Sequence, residues 1–383
     1  MILRLIQDRL EKDLAMNPAV ALVGARQCGK TTLARSLGGR YFDLEQDSDR
    51  LRLDLEWEKL IGGKELAVLD EAQTWPEVFP RLRGAIDADR RRFGRFLLLG
   101  SVSPALMTHV SESLAGRLAI LELTPLLLPE LSGPARERLW PLGGFPDGGV
   151  LDTKAYPRWQ SSYLTLLAQR DLPAWGLPAK PQVISRLLKM VAAVNGQAWN
   201  ASQIGQSLGL DYKTVNSYLD YLSGTFLVRR LLPYQTNMRK RLVKTPKVYW
   251  RDSGLLHAML NVVDSEHLLS QPWVGASWEG FVVEQTIGVL LATGRQFDAY
   301  YFRTSDQHEI DLVLDLAGKL WAVEIKLTSA PSHSDLSRLE QAADLIGAKR
   351  RILVSRTSNV VANQATASCN LEALLELLQK AGG

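Results

Sequence analysis

The stretch Val20–Leu37, VALVGARQCGKTTLARSL, indicates which fold the N-terminal third of this chain adopts. An apolar run is followed by a segment with a glycine at each end and then by a run typical of a helix. This order indicates a buried parallel strand followed by a helix. Gly24–Thr31 matches G-x-x-x-x-G-K-[ST], whose glycines let backbone N–H groups surround phosphate oxygens. In this motif Lys30 reaches the β- and γ-phosphates and Thr31 binds Mg²⁺.

The sequence therefore predicts a site for ATP and Mg²⁺ in this loop. The predicted nucleotide-binding residues are Gly24, Ala25, Arg26, Gln27, Cys28, Gly29, Lys30, Thr31 and Thr32. A second motif, ELAVLDEAQ, places two acids at the end of another buried strand. There Asp70 is expected to hold Mg²⁺, and Glu71 to orient and deprotonate the attacking water. The alternative is that both acids are simply solvated.

Three more apolar segments complete a predicted parallel sheet with helices on both faces. They are RYFDLE (Arg40–Glu45), RFLLLGS (Arg95–Ser101) and LAILELTPL (Leu118–Leu126). Ser101 ends the fourth strand and is a candidate sensor of the γ-phosphate. Arg117 precedes the fifth strand, where it can act as an arginine finger on a neighbouring subunit's nucleotide, or be an ordinary surface arginine.

The composition is that of a soluble protein with several domains. The chain has 383 residues, a net charge of +4 and only two cysteines, Cys28 and Cys369, which favours a reducing compartment. We find neither an apolar run long enough to cross a membrane nor a secretion signal at the N-terminus. The predicted location is cytoplasmic, with no membrane partner.

The middle of the chain contains a predicted helix-turn-helix. Asn200 or Ser202 can cap a first helix and Asp211 a second, and the strand-like runs TFLVRRLLPY and PKVYWRD follow. This order is typical of a winged helix. A proline-punctuated segment before it predicts a small helical lid.

A basic run without any acid, Arg229–Arg251, contains eight positive charges in 23 residues. It predicts a surface that follows a phosphate backbone with little sequence preference. The residues expected to bind DNA are Tyr212, Lys213, Asn216, Arg239, Lys240, Arg241 and Lys244. A solvated basic loop and a protein-contact module are the alternatives.

The C-terminal third combines acids and a lysine on one helix and two strands. Glu324 and Lys326 lie on the same side of their strand, Asp311 can face them from the neighbouring strand, and Glu279 comes from a helix. Carboxylates in this arrangement bind a divalent metal, and the lysine assists the water or stabilises the phosphorane. These four positions resemble the PD-(D/E)XK nuclease fold. A surface ion-pair ladder, or a nuclease-shaped domain that does not cleave, is the alternative.

The order of the phosphate loop, LDEAQ, LLLGSVSP and LAGR resembles the AAA+ ATPases, in particular a bacterial and archaeal branch with a nuclease-like C-terminal region. The implied class is α/β: a P-loop AAA+ parallel-sheet domain, a helical lid, a winged helix and a restriction-endonuclease-like domain. We expect boundaries at 1–130, 131–182, 183–251 and 252–383. The resemblance also implies a homo-oligomer, ring-like or stacked, with a hexameric ring as one form.

The predicted function is an ATP-hydrolysing motor that binds DNA and remodels branched or repair-associated structures. One alternative is an ATP-gated, metal-dependent DNA nuclease. The other is a regulatory ATPase switch that binds protein partners.

Overall fold

The computed structural model describes residues 2–100, 114–235, 243–306 and 308–380, and these form two compact units. Unit 1 comprises Met1–Leu126 and the short segment Gly224–Phe226. Unit 2 comprises Leu127–Ser223 and Leu227–Gly383. The finer division into four domains stays a prediction. No helix of the described residues is long and apolar enough to cross a membrane.

Unit 1 is built on a five-stranded sheet, which confirms the predicted parallel α/β architecture. All neighbouring strands pair in parallel, in the order β2-β3-β4-β1-β5. The strands are β1 (Ala19–Val23), β2 (Arg40–Asp43), β3 (Ala67–Asp70), β4 (Phe96–Gly100) and β5 (Leu118–Glu122), and the helices are α1 (Gln7–Met16), α2 (Lys30–Ser36), α3 (Asp47–Gly62) and α4 (Val78–Ala88).

The centre of this sheet is covered on both faces. All five residues of β1 are buried, and successive strand side chains point to opposite faces. Ala19, Ala21 and Val23 belong to one core cluster with side chains of β2, β3, β4 and α4, while Val20 and Leu22 are buried on the other face. Continuous apolar burial of this kind is why the strand reads as an unbroken hydrophobic run.

Unit 2 contains ten further α-helices of five residues or more among its described residues. They are α5 (Pro134–Leu142), α6 (Arg158–Leu166), α7 (Pro181–Ala193), α8 (Ala201–Leu208), α9 (Tyr212–Gly224), α10 (Ser253–Met259), α11 (Ser265–Leu269), α12 (Val274–Ala292), α13 (His333–Ile346) and α14 (Leu371–Lys380). The predicted caps are present: the Asn200 side chain accepts a hydrogen bond from Gln203 N, and that of Asp211 accepts one from Thr214 N. Each cap satisfies a backbone donor of the first helical turn.

An eight-stranded mixed sheet forms the rest of unit 2. Its strands are β6 (Val228–Pro233), β7 (Lys247–Trp250), β8 (Asp298–Arg303), β9 (Glu309–Leu316), β10 (Lys319–Ile325), β11 (Arg350–Val354), β12 (Val361–Ala362) and β13 (Thr366–Cys369). They lie in the order β12-β13-β11-β10-β9-β8-β6-β7. The two strands predicted as the wing, β6 and β7, pair antiparallel, and β6 also pairs in parallel with β8. The winged helix itself stays a prediction.

The hairpin between β9 and β10 turns at Ala317–Gly318. Both turn residues have positive φ, 52° and 84°. A two-residue hairpin loop of this type needs positive φ at both positions because its twist then matches that of the strands.

Candidate nucleotide site and buried charge clusters

The phosphate loop follows β1 and leads directly into α2. Its backbone takes positive φ at Gly24 (155°), Gln27 (62°) and Gly29 (103°). A Cβ atom on Gly24 would lie 2.2 Å from the carbonyl oxygen of Leu123, so only glycine fits this position. The Cys28 thiol is buried and donates to the same carbonyl at 3.3 Å.

Lys30, the first residue of α2, points its ammonium into this loop. Its Nζ donates to the carbonyl oxygens of Gly24 at 3.0 Å and Ala25 at 2.9 Å, and the residue is 7% exposed. The loop carbonyls therefore hold the ammonium where an incoming phosphate would meet it.

Two predicted Mg²⁺ ligands meet directly. Thr31 Oγ1 donates a hydrogen bond to Asp70 Oδ2 at 2.7 Å. Thr31 follows the loop after β1 and Asp70 ends β3, and these two strands lie on either side of β4 in the sheet. A hydroxyl and a carboxylate are the oxygen ligands that Mg²⁺ prefers, so this pair fits the ion.

Tyr41, which was not predicted from the sequence, is also part of this site. Its hydroxyl donates to the same Asp70 oxygen at 2.6 Å. Burial, followed by the hydrogen bond to Asp70, raises the pKa of Tyr41, so the hydroxyl stays protonated and remains a donor. Tyr41 is paired with Val68, two residues before Asp70, so it is the pairing of β2 with β3 that brings its hydroxyl to the site.

Glu71 follows β3, and its left-handed backbone (φ 49°) turns the chain into the short helical turn Ala72–Thr74. Gln73 Nε2, which the sequence analysis also missed, donates to the Glu71 carboxylate. Burial raises the pKa of Glu71 above its usual range, although Lys30 and the Gln73 hydrogen bond partly offset this. A carboxylate with a raised pKa is a stronger proton acceptor than an exposed glutamate.

Arg4 is a third residue that the sequence analysis missed. Its buried guanidinium donates to the carbonyl oxygens of Cys28 at 2.9 Å and Thr124 at 2.7 Å. It thereby ties the phosphate loop to the segment after β5. Its position in the N-terminal stretch MILRLIQDRL gave no signal of this role.

Arg117 lies at the opposite edge of the sheet from the phosphate loop. The Arg117 guanidinium makes a bidentate ion pair with the Asp87 carboxylate of α4, and both N–O distances are 2.9 Å. This pairing lowers the pKa of Asp87 to about 2. Leu118 is paired with Ala19, at the start of β1, so the strand length of about 16 Å separates Arg117 from its own loop. Ser101, the other predicted catalytic residue, lies outside the described residues.

Two acids of the predicted nuclease-like site, Glu279 and Asp311, lie around a lysine from another segment. Lys247 Nζ lies 2.9 Å from Glu279 Oε1, 2.8 Å from Glu309 Oε1 and 3.7 Å from Asp311 Oδ1. Glu324 instead pairs with Lys326 at 2.6 Å. Sequence analysis identified neither Lys247 nor Glu309 as part of this cluster.

Burial and the neighbouring Asp311 charge raise the pKa of Glu279 to about 7 and that of Glu324 to about 8. Among the described residues, no group of three or more His, Cys, Asp or Glu side chains is arranged to hold a metal ion. The cluster, with an ammonium among its carboxylates, does not fit a divalent metal, and we derive no cleavage step through one.

The prediction of a continuous basic surface over Arg229–Arg251 is wrong, because three of its positively charged side chains are engaged in ion pairs. Arg229 and Arg251 both pair with the buried Glu284, Arg251 at 3.0 Å, and Lys247 is buried as described above. Burial alone would raise the pKa of Glu284, but the two arginines overcome this and hold it below its usual range. The acids that neutralise these charges come from distant parts of the chain, so the local sequence did not reveal them.

Four of the seven residues predicted to contact DNA belong to the described part of the chain, and two of these four line a groove of about 680 Å³. Tyr212, Lys213 and Asn216 are exposed on α9, and Asn216 accepts a hydrogen bond from Trp199 Nε1 at 2.9 Å. Asn216, Arg230 and Lys244 line the groove. Arg239, Lys240 and Arg241 fall in the segment that the structure does not describe.

Comparison with known proteins gives three family matches along the chain. Residues 16–132 match a model described as an AAA domain. Residues 134–266 and 274–374 match two domains of unknown function, DUF8612 and DUF4143.

Two mycobacterial proteins, both described as uncharacterized, are similar over nearly the whole chain. Rv2008c of Mycobacterium tuberculosis and Mb2031c of Mycobacterium bovis are each 37% identical over 97% of this chain and 86% of their own length. Among solved structures, the Walker-type ATPase PABY2304 of Pyrococcus abyssi aligns with 67% of this chain and 94% of that chain, at 16% identity and a TM-score of 0.47. The chain therefore belongs to the family of the two mycobacterial proteins, and it carries an AAA-type ATPase domain.

Proposed function

We propose that this protein hydrolyses ATP in unit 1 and uses the energy to act on DNA bound by unit 2. The observation that carries the ATPase half is the hydrogen bond between Thr31 and Asp70, which joins the phosphate loop to the second acidic motif. Lys30 and Glu71 lie beside this pair, so one sheet edge contains a phosphate binder, two magnesium ligands and a base.

Each residue has a separate task in the proposed reaction. Lys30 would exchange its two carbonyl partners for phosphate oxygens, and Thr31 and Asp70 are the residues that would hold Mg²⁺. When bound, the ion neutralises negative charge on the β- and γ-phosphates. Tyr41 fixes the Asp70 carboxylate, and Glu71 accepts the proton of the attacking water. Phosphoryl transfer depends mainly on such positioning and charge stabilisation.

Self-association is part of the proposal. Arg117 lies too far along the sheet to reach the nucleotide of its own subunit, so a role as an arginine finger requires a neighbouring one. Its ion pair with Asp87 would then have to open.

Lys30→Ala is expected to weaken ATP binding by about 100-fold and to abolish hydrolysis, because two charge-assisted contacts to phosphate are lost. Nucleotide binding measured by titration with a fluorescent ATP analogue, together with phosphate release, checks this. Lys64→Ala, which removes an exposed lysine before β3, is the matched control and should behave as wild type. Equal ATP affinity in Lys30→Ala and wild type would contradict the proposed site.

The DNA half is supported by the exposed face of α9 and by Lys244 at the groove. The helix-turn-helix arrangement of α8 and α9 is the kind that enters a major groove. Contacts from lysines to phosphate are independent of sequence and weaken with salt.

Replacing both Lys213 and Lys244 with alanine is expected to weaken duplex binding about 10-fold. The slope of log affinity against log salt concentration should also become shallower, by the amount that corresponds to about two phosphate contacts. Fluorescence anisotropy on duplex, forked and four-way DNA at several salt concentrations measures both quantities. Lys12→Ala on α1 is the control for loss of an exposed lysine. If no DNA binds or stimulates ATP hydrolysis, the DNA half fails and a protein-binding switch is favoured.

A further inference from the structure

We propose that the side-chain amide of Gln73 holds the attacking water of the ATPase reaction together with Glu71. The Nε2 group of Gln73 fixes the base, and its Oε1 accepts a hydrogen bond from the water. Gln73 is then a catalytic residue in its own right. This inference rests on the proposed ATPase function and adds to it the residue that orients the nucleophile.

The first argument is that the two polar atoms of this amide have different surroundings. Gln73 Nε2 donates a hydrogen bond to the Glu71 carboxylate. Gln73 Oε1 is buried, and no group in the described part of the chain donates a hydrogen bond to it. A buried amide oxygen without a donor is costly, and such atoms in native proteins are found where a water or a ligand binds. A water molecule that also contacts Glu71 would supply the donor.

The second argument is that the turn that carries Gln73 is anchored on both sides. Before it, Ala72 is buried in the core of unit 1. After it, the Thr74 hydroxyl lies within hydrogen-bond distance of the carbonyl oxygens of Glu71 (2.8 Å) and Leu44 (2.9 Å). The amide therefore extends from a fixed backbone. Groups that orient a nucleophile contribute most to the rate when they are held in place before the reaction begins.

The third argument is the chemistry of the pair. A carboxylate accepts one hydrogen of a water molecule and an amide oxygen accepts the other, which leaves a lone pair of the water oxygen directed at the substrate. This oxygen bonds to the γ-phosphorus while the bond to the β–γ bridging oxygen breaks and ADP leaves. One water proton passes to Glu71, and the other stays on the transferred oxygen. A glutamine orients the attacking water in other nucleotide hydrolases.

The test compares Gln73→Met with wild type in steady-state and single-turnover ATP hydrolysis by the full-length chain. Methionine keeps the length of the side chain but removes the amide. We expect kcat to fall about 30-fold, while the affinity for a fluorescent ATP analogue stays within about threefold of wild type. Gln46→Met, which changes the exposed glutamine directly before α3, is the control and should behave as wild type.

The pH dependence of kcat gives a readout that a purely structural role would not change. The base acts in its deprotonated form, so kcat rises with pH through the pKa of Glu71. Burial raises this pKa, as do the charges of Asp70 and Glu45. The Lys30 charge and the Gln73 hydrogen bond lower it. Because Gln73→Met removes that hydrogen bond and leaves the charges unchanged, the acidic limb of its profile should move to higher pH.

A second background separates contact with the water from an effect on the base. If Gln73 holds the water itself, adding Gln73→Met to Glu71→Gln should lower the residual single-turnover rate by a further factor of about three or more. No further loss would overturn the proposal, because Gln73 would then act only through Glu71. A folded Gln73→Met variant with wild-type kcat, or one that loses ATP affinity as much as kcat, would also overturn it. If Gln73→Met does not fold, Gln73→Ala takes its place with the same expected losses.

Failure of the proposed function gives a different result. If wild type does not hydrolyse ATP, or if Glu71→Gln hydrolyses it normally, the proposed base is wrong and this inference falls with it. Hydrolysis that depends on Glu71 but not on Gln73 leaves the proposed function in place and rejects this inference alone.

Discussion

Replacing Glu71 with glutamine is expected to lower kcat for ATP hydrolysis by at least about 100-fold while ATP affinity stays within about threefold of wild type. The amide keeps the size of the side chain and can still accept the hydrogen bond from Gln73, but it cannot take a proton from water. Burial raises the pKa of Glu71, so this carboxylate is suited to accept a proton in the reaction. Phosphate-release kinetics and a separate nucleotide-binding titration measure the two effects.

The control is Glu45→Gln. Glu45 is an exposed carboxylate close enough to influence the Glu71 charge, yet it makes no contact with the attacking water in the proposed reaction. Its kcat should stay within about twofold of wild type, as expected for an exposed side chain outside the chemistry. If Glu71→Gln also loses ATP binding, Glu71 has a structural role in the loop, and if it hydrolyses ATP normally, another group is the base.

Replacing Glu284 with glutamine is expected to lower the free energy of unfolding of unit 2 by about 3–5 kcal/mol, the usual cost of breaking a buried ion pair. The carboxylate of Glu284 pairs with Arg229 from β6 and with Arg251 after β7. Without it, two guanidinium groups are held in a buried region and have lost their shared counter-charge. Urea unfolding followed by tryptophan fluorescence measures the change, because Trp278 lies on the same helix.

Two further variants separate loss of the charge from loss of packing. Glu266→Gln on α11 removes an exposed carboxylate and should change the stability by less than about 0.5 kcal/mol. Changing Arg229 and Arg251 to methionine and Glu284 to leucine removes all three charges together. This triple variant should be more stable than Glu284→Gln, because apolar side chains of similar size can replace a buried ion-pair cluster without leaving an uncompensated charge. If it is equally unstable, the shape of the cluster matters more than its charge.

The ATP site was the part of the molecule that could best be predicted from the sequence. Gly24–Thr31 and the LDEAQ motif each combine a buried strand with polar residues directly after it. Parallel strands bring such ends to one edge of a sheet, and the observed bond between Thr31 and Asp70 follows from that. Tyr41 and Arg4 could not be assigned in this way because their partners lie far along the chain and no local pattern indicates them.

The basic run Arg229–Arg251 shows the opposite case. Its acid-free composition suggested an exposed surface, yet Arg229, Lys247 and Arg251 are neutralised by acids 32 to 64 residues away in sequence. Sequence proximity says little about which charges meet, since folding brings together groups whose separation along the chain is large. The strand β6 is a similar example: it pairs locally with β7, as its spacing suggests, but also with β8.

The strands of unit 1, the phosphate loop, the acidic motif and the caps of α8 and α9 could all be predicted from residue patterns. These features depend on backbone conformation and burial over a few neighbouring residues, which local residue types control. The folded chain was needed to see which charges are buried, which carboxylates surround Lys247, and how β6 joins the larger sheet. The reason is physical: the energy of a charge or a strand edge depends on distant groups packed against it, and these are set by the complete fold.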